Sequence, residues 1–310
     1  MSTRVAALDC GTNSLRLLIA DVGGSLTDVT RCMEIIRLGE GVDQTGRLAP
    51  QALMRMSAVL SDYAQLIARS GASAVRMVAT SATRDAENSA EFVQRVKEIL
   101  GIAPEVLTGD AEARLSFDGA TGELAGAGDQ GPYLVADIGG GSTELVLGSP
   151  GEPMPRAISV NIGCVRMTER HLRTDPPTTA EIAAATADID AALDQAAAVV
   201  PVGRARTLVG LAGSVTTVAA IAMGLPGYDA ARIHHARVSA ADVHAITGRL
   251  LGQTRDARAA MAVMHPGRVD VIGGGAMVLD RIMTRFGFGE VLVSEHDILD
   301  GIAWSMVRNG

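Results

Sequence analysis

Residues 137–148, Asp137-Ile138-Gly139-Gly140-Gly141-Ser142-Thr143-Glu144-Leu145-Val146-Leu147-Gly148, form the stretch around which the rest of the chain can be ordered. The apolar run Tyr133 to Ala136 leads into it and predicts a buried strand; Glu144 to Leu147 leads out and predicts the return strand of a hairpin. Between them lie three glycines and two hydroxyl residues. Glycine lets the backbone turn tightly and lets an anion reach the amide N–H groups with no Cβ in the way. Asp137 stands at the strand end, within reach of a hydrated Mg²⁺, and Glu144 can do the same from the return strand. Taken alone, the stretch reads equally well as a glycine-rich hairpin with a solvated acid at each end.

An echo near the N-terminus changes the balance. Asp9-Cys10-Gly11-Thr12-Asn13-Ser14-Leu15-Arg16-Leu17-Leu18-Ile19 repeats the plan: an apolar lead ending in Asp, then Gly and hydroxyl residues, then a second apolar run. A repeat so widely spaced is too long for a solenoid and suits two related domains. Two such loops facing each other make a phosphate clamp between lobes. In this the chain resembles the actin and sugar-kinase superfamily. The expected fold class is therefore α/β, an actin-like ATPase fold of two ribonuclease-H-like domains with a cleft between them. The glycine-punctuated segment 122–132 predicts the hinge, giving domains 1–128 and 129–310, with a closing helix at 298–309 able to pack back on the first.

Composition sets the bounds. The 310 residues suffice for two cores, and 47% hydrophobic with 20% charged residues suits a globular protein. No apolar run approaches the roughly 18 residues of a membrane span. The start runs straight into a strand with no signal-peptide pattern, and Cys10, Cys32 and Cys164 are odd in number with no CxxC; both point to a reduced, cytoplasmic setting. A net charge of −8 argues against a nucleic-acid-binding surface, while leaving room for a polyanion held by local positive charge. Lys97 is the only lysine, so arginine, whose planar fork suits phosphate, carries nearly all the positive charge.

Along the chain, three further places follow the pattern of strand, then small or hydroxyl residues, then helix. Thr80 and Arg84 lie between a strand at 75–79 and a helix at 89–100, where helix amides and a guanidinium favour an anion. Gly163 and Arg166 precede and enter a helix running through His171, with Arg166 expected to point at an anion. Gly213 and Ser214 follow the strand 207–211, a place for a phosphate or ribose. Each has a plainer reading as a capped turn. Glu112 lies in the first turn of a helix opened by Thr108, where an acid ordinarily complements the dipole. The glycines of 268–275 are expected to precede a helix at 276–285, and His234-His235 lack zinc spacing.

In this order the motifs resemble the exopolyphosphatase and guanosine pentaphosphate phosphohydrolase family over the whole chain. The carriers are Asp9 to Ser14, the segment Arg37 to Leu48, Thr80 with Arg84, Glu112-Ala113-Arg114, Asp137 to Glu144, and Gly163-Cys164-Val165. The resemblance implies hydrolysis of the terminal phosphoanhydride with Mg²⁺, Mn²⁺ being the alternative ion. It implies Glu112 as the residue that activates water, Asp137 and Glu144 as metal acids joined by Asp9, and a phosphate-binding set of Asn13, Ser14, Thr80, Arg84, Gly139, Gly140, Gly141, Ser142, Gly213 and Ser214. The first expectation is an exopolyphosphatase acting on inorganic polyphosphate, the second a guanosine pentaphosphate phosphatase; both substrates end in the same anhydride. A non-catalytic polyphosphate or alarmone sensor and a sugar-kinase-like phosphotransferase complete the alternatives. Longer members carry helical domains beyond the two lobes; their absence up to Gly310 leads to the expectation of short polyphosphates. A homodimer, with no nucleic-acid or membrane partner, is implied as well.

Overall fold

The computed structural model describes residues 2–122, 124, 131–152 and 155–308, and most of the predicted hinge lies outside them. The chain forms two compact units, Met1–Gly119 with Asp297–Gly310, and Ala120–His296.

The first unit is built on strands β1 (Thr3–Cys10), β2 (Ser14–Val22), β3 (Leu26–Ile35), β4 (Ala74–Ala79) and β5 (Glu105–Val106), in the order β3-β2-β1-β4-β5. β1, β2 and β3 pair antiparallel, and β4 and β5 run parallel to β1. Both faces of this sheet are covered, so β1 is apolar on both sides rather than alternating. Leu8, Leu17 and Met77 pack with Leu53, Met56 and Leu60 of the helix Pro50–Ser70. Val5, Ala7 and Leu18 face Ile298, Ile302 and Ala303 of the closing helix Ile298–Arg308.

The second unit adds β6 (Tyr133–Ile138), β7 (Thr143–Gly148), β8 (Arg156–Val160), β9 (Thr207–Leu211), β10 (Arg237–Ser239) and β11 (Glu290–Val293), in the order β10-β11-β9-β6-β7-β8. Read from β8, the antiparallel trio β8-β7-β6 is followed by β9 and β11 parallel to β6. This is the plan of the first sheet with β10 added at the edge. Two sheets of this ribonuclease-H-like order in one α/β chain make the actin-like fold.

The strand β3 stops at Ile35 because the N–H groups of Ile36 and Arg37 turn away to the carbonyl of Asn13 at 3.0 and 2.9 Å. One element differs from its sequence reading. The glycines near 274 lie inside the helix Ile272–Phe286, not before it. A Cβ at Gly274 would sit 2.8 Å from the Cys164 carbonyl, and one at Gly275 2.1 Å from Ser214 Oγ. Absent side chains let three helices close on one another, and that contact outweighs the cost of glycine in a helix.

Candidate active site

In the second unit, β6 ends in Asp137, and the loop Gly139–Ser142 turns the chain back into β7. The three glycine carbonyls of this loop are taken. Gly139 O accepts from Cys164 N at 2.9 Å, Gly140 O from Val165 N and Arg166 N at 2.8 and 3.1 Å, and Gly141 O from Gly163 N at 3.3 Å. Arg166 adds its Nε to Gly141 O at 2.7 Å. The amides at the start of the helix Cys164–His171, which ordinarily lack partners, thus brace the glycine loop. Arg166, expected to point at an anion, is part of that brace. With the carbonyls drawn inward, the N–H groups of Gly139, Gly140, Gly141 and Ser142 donate to no described residue. Successive undonated amides are groups with which a backbone can bind an anion.

Asp137 and Glu144 stand directly opposite each other on β6 and β7, so their side chains share one face. Both are buried, and Ser159 Oγ donates to Glu144 Oε1 at 2.6 Å. Leu211 pairs with Asp137 in the parallel β6–β9 ladder, which brings Gly213 to the same edge of the sheet. Ala212 takes a left-handed φ of 67°, an uncommon conformation for a residue with a Cβ. The Arg268 guanidinium lies over Gly213, where a Cβ would come within 2.3 Å of it. Ser214 departs from the expected role. Its hydroxyl is packed among the helices against Cys164 and Gly275, leaving only its backbone for an anion.

The first unit holds the second loop. Gly11 N bonds Ser14 O at 3.0 Å, closing the turn from β1 into β2. Thr12 O accepts from Gly39 N at 2.8 Å, Asn13 O accepts from Ile36 and Arg37, and the amides of Thr12 and Asn13 donate to no described residue. The segment from Arg37 therefore braces this loop, as the start of the helix at Cys164 braces the other. Thr12 Oγ1 and Ser81 Oγ are hydrogen-bonded at 2.8 Å. Thr80, buried where β4 ends, donates its N–H to Cys10 O at 3.2 Å and makes no side-chain cap.

Arg84 Nη1 donates to Glu112 Oε2 and to the Leu107 carbonyl, both at 2.9 Å. Its Nε and Nη2 bond to no described residue. Glu112 lies in the first turn of the helix Gly109–Thr121, where Thr108 Oγ1 accepts from Ala111 N at 3.3 Å. That helix meets the closing helix at two glycines. A Cβ at Gly119 would lie 1.9 Å from Asp297 O, and one at Gly301 2.0 Å from Leu115 O. The close crossing fixes the height of Glu112.

Sequence patterns gave no sign of one further contact. Arg16 on β2 donates to Asp9 Oδ2 from Nε and Nη2 at 3.0 and 2.7 Å, and its Nη1 reaches Asp297 Oδ2. Burial pushes the Asp9 carboxyl above its usual range, with Arg16 opposing. Burial acts the same way on Asp297, but there Arg16 and Arg31 prevail and hold it below the usual range. Asp9 Oδ1 is buried with no hydrogen-bond partner. The orphaned oxygen in the first unit and, separately, the paired carboxylates of Asp137 and Glu144 in the second are of the hard donor type that Mg²⁺ takes. Among the described residues no three His, Cys, Asp or Glu groups gather in a ready cage. Mg²⁺ commonly needs only one or two carboxylates plus water and substrate phosphate, so the residues fit the ion.

The family model for the Ppx/GppA phosphatase family matches residues 18–309. The chain belongs to that family. This Ppx/GppA chain is 52% identical to Exopolyphosphatase 2 of Mycobacterium tuberculosis, an alignment covering 98% of each protein. Among solved structures it is similar to an exopolyphosphatase-like protein, at TM-score 0.95 and 44% identity over 99% of this chain and 98% of that one. It is also similar to the Ppx/GppA family member of Aquifex aeolicus, at TM-score 0.82 and 29% identity over 100% and 99%. No described helix is long and apolar enough to cross a membrane.

Proposed function

We propose that this Ppx/GppA protein is an exopolyphosphatase that removes the terminal phosphate of inorganic polyphosphate by in-line attack of water. The observation that carries the reading is the Gly139–Ser142 loop, whose carbonyls are tied into the protein while its amides are left for an anion. Near full-length similarity to a protein named Exopolyphosphatase 2 supports the same substrate.

Phosphoryl transfer asks little covalent chemistry of a protein; it asks for a placed nucleophile and for charge on the equatorial oxygens to be met. In this proposal Glu112 accepts the proton of the attacking water. Arg84, holding that carboxylate by Nη1, turns its remaining N–H groups to phosphate oxygens. The undonated amides of both loops stabilise charge that grows on the phosphoryl group. Asp137 and Glu144, with Asp9 as a further oxygen donor, are the acids proposed to hold Mg²⁺, which when bound neutralises phosphoryl oxygens. The proposal extends to a preference for short chains and to a cytoplasmic homodimer, the latter checked by sedimentation velocity as a species of twice the chain mass.

Phosphate release with Mg²⁺ from tripolyphosphate, long-chain polyphosphate and guanosine pentaphosphate tests the reading. The expected ranking is tripolyphosphate first and guanosine pentaphosphate last. A faster rate on guanosine pentaphosphate would move the assignment to the alarmone phosphatase. Tight polyphosphate binding with no release would make the protein a sensor.

A further inference from the structure

The second unit carries a pocket of about 460 Å³ whose wall includes none of the phosphate-site residues. It opens among the helices Thr179–Val199, Ala240–Gly252 and Ile272–Phe286, beside Pro176 and Pro177. Its size is in the range of small-molecule sites. The proline wall is anchored: Asp175 accepts from Arg258 Nη2 at 3.0 Å and from Arg255 N at 2.8 Å. Arg258, itself buried, also donates to the carbonyls of Leu250, Gln253 and Val269. The pocket is therefore preformed.

Its lining combines an apolar surface with Arg281, whose guanidinium is held by Asp190, and with one under-compensated charge. Ile182, Leu251 and Met277 supply the apolar part. Neighbouring acids on the helix Thr179–Val199 each have a guanidinium: Asp190 takes Arg281 at 2.8 and 2.9 Å, and Asp194 takes Arg285. Asp280 has none among the described residues. Among them its carboxylate, 13% exposed, is met only by His244 Nδ1 at 3.1 and 3.2 Å, on an imidazole 79% exposed. A mostly buried carboxylate with one long bond to a solvent-facing ring is poorly compensated, and the imidazole can swing away. Gly248, also in the lining, sits inside a helix, where glycine costs roughly 1 kcal/mol relative to alanine. A Cβ there would meet nothing within 4 Å. The position keeps the wall open.

We infer that this pocket is a second ligand site, one that takes a small organic cation: an ammonium group paired with Asp280 and an apolar body lying on Ile182, Leu251 and Met277. The site stands independently of the phosphoanhydride reading, because neither its residues nor its test uses the glycine loops. A cation supplies Asp280 with the charge-assisted partner that its neighbours already have. Met277 adapts its shape to the body.

Isothermal titration of the whole protein with 2-phenylethylamine, and with 2-phenylethanol as a neutral molecule of the same shape, tests the inference. The amine is expected to bind the wild-type chain, and to bind it about tenfold or more tightly than it binds Asp280→Asn. The alcohol is expected to bind both chains alike and weakly. Gly248→Leu, which fills the pocket from an open helix position, is expected to abolish amine binding. Unchanged melting temperatures would show that both variants are folded; if Asp280→Asn fails to fold, Gly248→Leu and the amine-to-alcohol ratio on the wild type still decide. Equal affinity for amine and alcohol, unchanged binding in either variant, or no binding of the amine up to about 10 mM would overturn it.

Discussion

The loops Asp9–Ser14 and Asp137–Thr143 do the same thing with different supports. Each follows a buried strand, each has carbonyls claimed from behind, and each leaves amides that donate to no described residue. The second is braced by backbone alone at its tightest point: a Cβ at Gly163 would lie 2.3 Å from both C and O of Gly140. The first has backbone bonds from Ile36, Arg37 and Gly39 as well, but its tightest contacts are to side chains. A Cβ at Gly39 would lie 2.2 Å from Thr12 Cγ2, the Thr12 hydroxyl bonds Ser81, and Asp9 is tied through Arg16 to Asp297. Backbone cannot rotate out of a clash; a side chain can. The second loop should therefore be intolerant of change, while the first should be adjustable and sensitive to pH.

The largest effect on stability is expected for Gly163→Ala, at about 3 kcal/mol because the added methyl must move main chain; urea denaturation reads it, and loss of phosphate release should accompany it. A loss below about 1 kcal/mol would mean that the brace is looser than its geometry. Next comes Asp297→Asn, at about 2 kcal/mol near neutral pH, less than for a fully buried pair because Arg16 is partly exposed. Asp297 has a folded pKa below 3.8, so its stabilising contribution is complete above that value and is lost as pH falls through the folded pKa. The gap between wild type and Asp297→Asn should close in acid. A gap independent of pH would break the contrast between a titratable and a non-titratable brace. Gly163→Ala should show no such closure.

Smaller still is Gly39→Ala, at about 1.5 kcal/mol, with Thr12→Ser in the same chain restoring roughly half by removing the clashing methyl while keeping the hydroxyl. Additive losses in the double variant would show that the clash lies elsewhere. Smallest is Gly11→Ala, within about 0.5 kcal/mol, since a Cβ there meets nothing closer than Ser14 O at 3.5 Å.

Much of this was legible in the sequence because the signal is local. An apolar run ending in Asp, followed by glycines and hydroxyls, specifies a strand and a tight turn within about ten residues, and two copies specify the doubled sheet. The capping box at Thr178 and Glu181 likewise needs only four residues, and it carries both reciprocal bonds. What escaped depends on partners far apart in the chain. Arg16 and Asp297 meet across 281 positions. Gly39 and Gly163 stood out as motif members, yet their role, making room against a loop from another segment, has no local pattern. The run Gly273-Gly274-Gly275 reads as a loop from composition, and only the nearness of Cys164 and Ser214 explains why a helix carries it. The same contact takes the Ser214 hydroxyl out of the phosphate set.

Phosphate release from tripolyphosphate with Mg²⁺, measured side by side for the wild-type chain and Glu112→Gln, bears most directly on the proposed chemistry. The expected result is release by the wild type and a rate on the order of 10²–10⁴-fold lower in the variant, with the melting temperature preserved. Full turnover by Glu112→Gln would contradict the assignment of Glu112 as the group that takes the proton from water.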